Sequence, residues 1–193
     1  MQEGFVVWFT GLSASGKTTL AKAIEAELLA RGLPYIQRLD GDVVRQDLTR
    51  DLGFSKEDRD ENIRRVTCVA ELLSKNGVAT TCSFISPYRK ARANARTRCR
   101  NFIEVYTYCP LETLIERDPK GLYAKALAGE ITGFTGIDDP YEEPENPDIV
   151  VHTGKETVAE STELILHYLE QQGLIPLSRQ SVKAAQALRG EAG

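Results

Sequence analysis

Hydrophobic and polar positions along the chain switch repeatedly between two patterns. Short apolar runs of strand length alternate with longer stretches that place an apolar residue every three or four positions. Phe5–Thr10 is a β-rich run ending at Gly11. Residues 17–31 put Leu20, Ile24 and Leu28 on one stripe and predict a helix that stops at Gly32. Residues 35–39 read as a second strand, followed by the turn Asp40-Gly41-Asp42. Ser55, with Asp58 three positions on, predicts the N-cap of a helix that runs to about Lys75 and closes at Asn76-Gly77. Residues 78–85 form a third strand, unusually polar for a buried parallel strand because of Thr80, Thr81, Cys82 and Ser83. Ser86-Pro87 supplies a cap and a first-turn proline for a helix over 88–100.

Phe102–Tyr108 is a fourth strand, and Pro110 opens another helix. Ile149–His152 is a fifth strand, and residues 157–172 form an amphipathic helix with Val158, Ile165 and Leu169 on one face. Between these, residues 120–147 are rich in Gly and Pro and hold one short helical piece near 122–128, the mark of a functional or disordered stretch. Strand–helix alternation of this kind predicts an α/β fold, a five-stranded parallel sheet with helices on both faces in three α/β/α layers. Residues 1–177 would form the domain, and the small, polar residues 178–193 a frayed or loosely docked tail.

Composition narrows the function. The 193 residues fit one domain on a prior of roughly 100–200 residues each. A net charge of −4 argues against a protein built to coat nucleic acid or an anionic membrane. No apolar run approaches the ~18–20 residues of a membrane span. The cysteines Cys68, Cys82, Cys99 and Cys109 lack CxxC spacing, so neither a zinc site nor structural disulfides are expected and a reducing cytoplasm is the expected setting.

The chemistry enters at Gly11-Leu12-Ser13-Ala14-Ser15-Gly16-Lys17-Thr18, which matches G-x-x-x-x-G-K-[ST] between a predicted strand and a predicted helix. Loop N–H groups and the positive end of the helix dipole can cradle phosphate oxygens there. Lys17 would reach the β and γ phosphates, and the Thr18 hydroxyl would hold Mg²⁺. No NKxD-type guanine reader is present, and Asp118-Pro119-Lys120-Gly121 falls in the wrong place for a GTPase switch. The Gly/Pro segment 120–147 then suits a lid that excludes water from a transferring phosphate. Asp40 and Asp42 follow the second strand, where a Mg²⁺ ligand or a base for an acceptor hydroxyl belongs. Arg45, Arg59, Arg64 and Arg65 suggest an anionic acceptor, and Phe54 and Phe134 are candidates to stack on a planar ligand. The arginines of the helix over 88–100 read as a solvated face, with Arg89 alone near the site.

From Trp8 to Leu177 the sequence resembles the adenylyl-sulfate kinase family. The resemblance rests on TGLSASGKTT at 10–19, DGDVVR at 40–45, GFSKEDRDENIRR at 53–65 and FISPYR at 84–89, and continues with VYTYCPLETLIERDPKGLYAKA at 105–126 and FTGIDDPYEEPENPD at 134–148. It implies a fold similar to nucleotide kinases and phosphorylation by Mg·ATP of the 3′-hydroxyl of adenosine 5′-phosphosulfate, giving 3′-phosphoadenylyl sulfate and ADP. A homodimer is implied, and association with an ATP sulfurylase is left open. Position by position, residues 11–19, Thr19 included, would bind ATP, with Arg117 near its base. Asp40 and Asp42 would lie by the metal and the acceptor ribose. Arg45, Arg59 and Asn62 would hold the phosphosulfate acceptor, with Ile85 and Ser86 beside it, while Phe54 and Phe134 would sandwich its adenine and Lys120 would contact the acceptor from the lid. Ser86 also matches a serine that some relatives phosphorylate.

The sequence departs from the family at Ala14-Ser15, where Gly-Ala is usual, and an alanine needing φ > 0 there would be strained by about 1–2 kcal/mol. Val43 stands where Asn is common, and Leu127 where a lid arginine is frequent. Two rival readings are another small kinase, for a sugar acid or shikimate, and a silent nucleotide-binding module that regulates a partner.

Overall fold

The structure is a computed structural model that describes residues 2–177; the tail expected over 178–193 lies outside the described residues. Strands β1 (Phe5–Thr10), β2 (Ile36–Asp40), β3 (Ala79–Ser83), β4 (Phe102–Tyr108) and β5 (Ile149–His152) form one sheet in the order β2-β3-β1-β4-β5. Every pairing is parallel. All six residues of β1 are buried, as befits a central strand. The chain fills the β3 and β2 side of β1 first and the β4 and β5 side later. The order therefore reverses at β1, whose carboxyl end is where an open α/β sheet binds ligands.

Alternation along β1 divides the core. Phe5, Val7 and Phe9 face α1 (Lys17–Ala30) and α7 (Val158–Gln171), where Leu20, Ile24, Leu28, Ile165 and Leu169 close on them. Val6 and Trp8 point the other way, onto Ile63, Val66 and Ala70 of α3 (Lys56–Lys75) and Ala95 of α4 (Arg89–Arg98). Each such large apolar side chain contributes roughly 1.5–3 kcal/mol by leaving water. These are the three layers expected from the sequence.

Ser55 caps α3 as expected, its hydroxyl accepting from the Asp58 amide at 3.1 Å. Thr157 and Glu160 form a reciprocal capping box at the start of α7. Three local readings need correction. The turn after β2 is a short helix, α2 (Gly41–Val44), because the Asp40 carboxylate accepts from the Asp42 amide and caps it. The third strand is only Ala79–Ser83. Ser86 does not cap α4: Tyr88 is the N-cap, and Ser86 sits at φ 41 with its hydroxyl turned inward. Two further helices, α5 (Leu111–Arg117) and α6 (Leu122–Leu127), lead into the Gly/Pro segment.

Candidate active site

The loop from Gly11 to Gly16 leaves the end of β1 and enters α1. Gly11 is required by close approach, since a Cβ there would lie 2.4 Å from the Thr107 hydroxyl of β4. Gly16 forms the N-cap of α1 at φ 89. Ala14 takes φ 60, so the strain foreseen for a residue with a Cβ is present, about 1–2 kcal/mol. The Ser15 hydroxyl bonds that of Thr107 at 2.8 Å, and Thr153, just beyond β5, donates to the Ser15 carbonyl at 3.0 Å.

Lys17 is only 9% exposed. Its ammonium donates to the Gly11 and Leu12 carbonyls at 3.0 and 2.6 Å and to the Ser15 hydroxyl at 3.4 Å. None of these partners carries a charge. Burial, helped by the positive charge of Lys120, pushes Lys17 down to about 7, and the carboxylates of Asp40 and Asp42 only partly oppose this. Thr18 donates to Asp40 Oδ2 at 2.7 Å, and Ser83 at the end of β3 donates to the same oxygen at 2.9 Å. Burial alone would raise the Asp40 carboxyl, but the bonds from Thr18, Ser83 and the Asp42 amide outweigh it and hold the group below the ordinary carboxylate value. The polarity of β3 thus has a use at its end, whereas the Thr81 hydroxyl is buried without a hydrogen-bond partner. Asp42 is exposed and paired with Lys120 of the Gly/Pro segment at 2.5 Å. Thr18, Asp40 and Asp42 are hard oxygen donors suited to Mg²⁺, which takes one or two carboxylates and leaves its other positions to phosphate and water.

Beside Asp42, Arg45 lies 4.4 Å over the exposed Phe54 ring, with the Arg59 guanidinium 5.9 Å from the same ring. Arg59 is buried and ties α3 to the segment after α6: it donates to the Phe54 carbonyl at 2.9 Å, the Thr135 hydroxyl at 2.7 Å and the Gly133 carbonyl at 2.5 Å. Asn62, one turn along α3, is buried with its carbonyl oxygen unpaired. Phe134 is half-buried and meets Tyr123 edge-on at 5.0 Å. Arg64 and Arg65 are engaged with Glu61 and Asp51 and belong to salt-bridged surface. Arg117 donates to the Thr153 carbonyl at 2.6 Å, next to the phosphate loop. Thr19 and Leu127 are exposed.

Several residues of this region escaped the sequence reading. Tyr123 is fully buried and donates to the Ser13 carbonyl at 3.0 Å, while Leu12 packs with Tyr123, Phe134 and Ile137. The segment after α5 is therefore docked on the phosphate loop. The reading of α4 as a solvated face with only Arg89 near the site is corrected at Arg92, which is 2% exposed and bonded on all sides. One signal could have exposed it: Glu104 stands alone among the apolar residues of β4, and a buried carboxylate needs a cation.

Residues 3–152 match the family model described as adenylylsulphate kinase. An adenylyl-sulfate kinase from Halothermothrix orenii is 62% identical over 91% of this chain and 95% of its own. A protein of Sorangium cellulosum named as a probable bifunctional SAT/APS kinase 2 is 56% identical over 90% of this chain but 30% of its own. Among solved structures, a Mycobacterium tuberculosis APS kinase in complex with AMPPNP and APS is 45% identical, with a TM-score of 0.84 over 88% of this chain and 99% of that one.

Proposed function

The chain belongs to the adenylylsulphate kinase family, and from that premise we propose that it transfers the γ-phosphoryl group of ATP to the 3′-hydroxyl of adenosine 5′-phosphosulfate, giving 3′-phosphoadenylyl sulfate and ADP. One observation carries the reading beyond family membership. At the carboxyl end of the sheet, a phosphate loop with a buried lysine stands across Asp40 and Asp42 from a guanidinium pair stacked on an exposed phenylalanine. A donor triphosphate fits the first half, and an acceptor with a planar base and two acidic groups fits the second.

Residues 11–19 enclose the triphosphate, and Lys17 exchanges its carbonyl partners for phosphate oxygens. Thr18, Asp40 and Asp42 would hold Mg²⁺, which neutralises charge on the phosphates when bound. Asp42 accepts the proton of the acceptor hydroxyl, and Lys120 keeps the lid against it. Arg45, Arg59 and Asn62 orient the phosphosulfate, Phe54 and Phe134 flank the adenine, and Ile85 and Ser86 line the acceptor side. Residues 120–147 act as the lid, excluding water so that the phosphoryl group reaches the acceptor hydroxyl and not solvent. We assign Ser86 to positioning, because its hydroxyl is buried, accepts from the Trp8 indole and donates to the Phe84 carbonyl; phosphorylating it would require breaking both bonds.

The proposed setting is cytoplasmic, in keeping with four unpaired cysteines and with no helix among the described residues long and apolar enough to cross a membrane. We propose a homodimer, measurable by light scattering. The bifunctional relative makes association with a sulfurylase worth a pull-down.

The deciding experiment follows ADP release from Mg·ATP with adenylyl sulfate, AMP, shikimate or gluconate as acceptor and locates the new phosphate by NMR. Selective turnover of adenylyl sulfate with phosphate on the 3′-oxygen is expected. Preference for another acceptor would overturn the substrate assignment, and nucleotide binding without turnover of any acceptor would favour a regulatory module.

A further inference from the structure

Behind the acceptor side lies a group of bonds in which Ile85 and Ser86 alone are candidates to touch a nucleotide. Its centre is Arg92 on α4. Its Nε donates to Glu104 at 2.8 Å, one terminal nitrogen to the Ser86 carbonyl at 2.6 Å, and the other to the Glu142 carbonyl at 2.6 Å. The guanidinium also lies 5.7 Å from the centre of the Tyr141 ring. Three elements distant in sequence thus share one planar cation: β4, the loop after β3, and the segment returning from the lid.

Each end of this network bears on the site. Ser86 is held at φ 41, a conformation costly for any residue with a Cβ, and persists there because its hydroxyl and carbonyl are both fixed, by Trp8 and Arg92. Thr10, the last residue of β1 before the phosphate loop, donates to the Ile85 carbonyl at 2.7 Å. That uses its only proton, so the 2.9 Å contact with Tyr141 is a bond donated by the tyrosine. On the lid side, Glu142 donates its amide to the Pro87 carbonyl at 2.8 Å, while Arg89 donates its amide to the Glu142 carboxylate and its Nε to the Glu143 carbonyl, both at 2.7 Å. The place of residues 85–86 relative to the end of β1 is therefore fixed by Arg92 and Tyr141 from behind.

We propose that Arg92, seconded by Tyr141, is a positioning residue that sets the acceptor loop Ile85–Ser86 and thereby governs the affinity for adenylyl sulfate, leaving that for ATP nearly untouched. The inference rests on the reading above that residues 85–86 face the acceptor. Glu104 neutralises the charge, but the fork geometry does the positioning: a lysine ammonium in the same place could keep Glu104 and could not serve both carbonyls in one plane.

The test measures KM for adenylyl sulfate and for ATP, together with urea unfolding midpoints, in the wild type, Arg92→Lys and Tyr141→Phe. Arg92→Lys is expected to raise the KM for adenylyl sulfate about tenfold or more, since small displacements of substrate-positioning groups cost this much, with ATP within about twofold. Tyr141→Phe, which removes a single hydroxyl and is expected to fold, should show the same asymmetry at about threefold, the scale of one hydrogen bond. Equal changes in both KM values, or a lowered unfolding midpoint with neither KM moved, would show that the network only stabilises the fold and would overturn the proposal. Failure of the wild type to phosphorylate adenylyl sulfate at all would instead overturn the functional reading, and this inference with it.

Discussion

Lys17 and Arg92 are two of the buried cations among the described residues, and they are buried for opposite ends. Lys17 and Arg92 are 9% and 2% exposed, and both donate to main-chain carbonyls at the carboxyl end of the sheet. Arg92 has a carboxylate, Glu104, in direct contact; Lys17 has only two carbonyls and a hydroxyl. A buried charge without a counter-ion is costly, and the cost appears as the fall of Lys17 to about 7. Arg92, compensated from within the fold, belongs to its framework, whereas Lys17, with no carboxylate in contact, is prepared for an anion from outside. Between these two cations, counter-ion contact, more than burial, separates the binding residue from the positioning residue.

Replacing each cation by methionine should break this comparison most sharply. Lys17→Met is expected to lower turnover by about 10³-fold, the scale of losing one preorganised transition-state contact. Its urea midpoint should stay level or rise, because an uncompensated charge has left the interior. Arg92→Met leaves Glu104 with only the longer 3.4 Å contact to Arg96 and should lose on the order of 3 kcal/mol of stability. Parallel losses of stability in the two variants would refute the distinction.

The pH dependence of nucleotide binding comes next. Lys17 in the free protein loses its proton above about 7, and phosphate oxygens favour the charged form. ATP affinity should therefore weaken by up to about tenfold per pH unit above neutrality, with proton uptake on binding. Calorimetry at pH 8 in two buffers of different ionisation enthalpy measures that uptake directly; none would place Lys17 among ordinary lysines. The same group affects stability with a definite sign. Its folded value lies below the ordinary 10.5, so the unfolded chain binds more protons between the two, and its contribution to stability rises with pH through that window.

Phe54→Ala probes a third cation environment, the exposed ring beneath Arg45. Loss of stacking should weaken adenylyl sulfate by about 1–3 kcal/mol and ATP much less. Equal weakening of the two would misassign the purine sites. The smallest effect belongs to Ala14→Gly, which relieves a left-handed alanine at some entropic cost and should gain about 0.5–1 kcal/mol in a denaturant titration.

Much of the fold was legible from local pattern. β1, β4 and β5 lie at the residues their apolar runs marked, and Ser55 caps α3 as its spacing foretold. Lys17, Thr18, Asp40 and Asp42 are assembled at one end of the sheet because strand, loop and helix succeed one another in the order a phosphate loop demands. What local pattern could not show was set by distant partners. On its own helix Arg92 resembles its exposed neighbours; its burial depends on Glu104 in β4 and on residues 141–142, some fifty positions away. Ser86-Pro87 has the composition of a helix start, yet Trp8, far back in β1, draws the serine inward. Tyr123 lies in a segment whose glycines suggested mobility, and its role comes from Ser13, 110 positions earlier.

The hydrogen bonds that finish the phosphate loop and its surroundings join segments far apart in the sequence. Tyr123 to Ser13, Tyr141 to Thr10 and Thr153 to Ser15 span 110, 131 and 138 positions. During synthesis the loop sequence emerges well before the groups that secure it. Contacts of such separation are slow to form, because the chain between must be ordered before they contribute. Nucleotide binding by a growing or refolding chain is thus a late event, and acquisition of that binding reports that the whole sheet has closed.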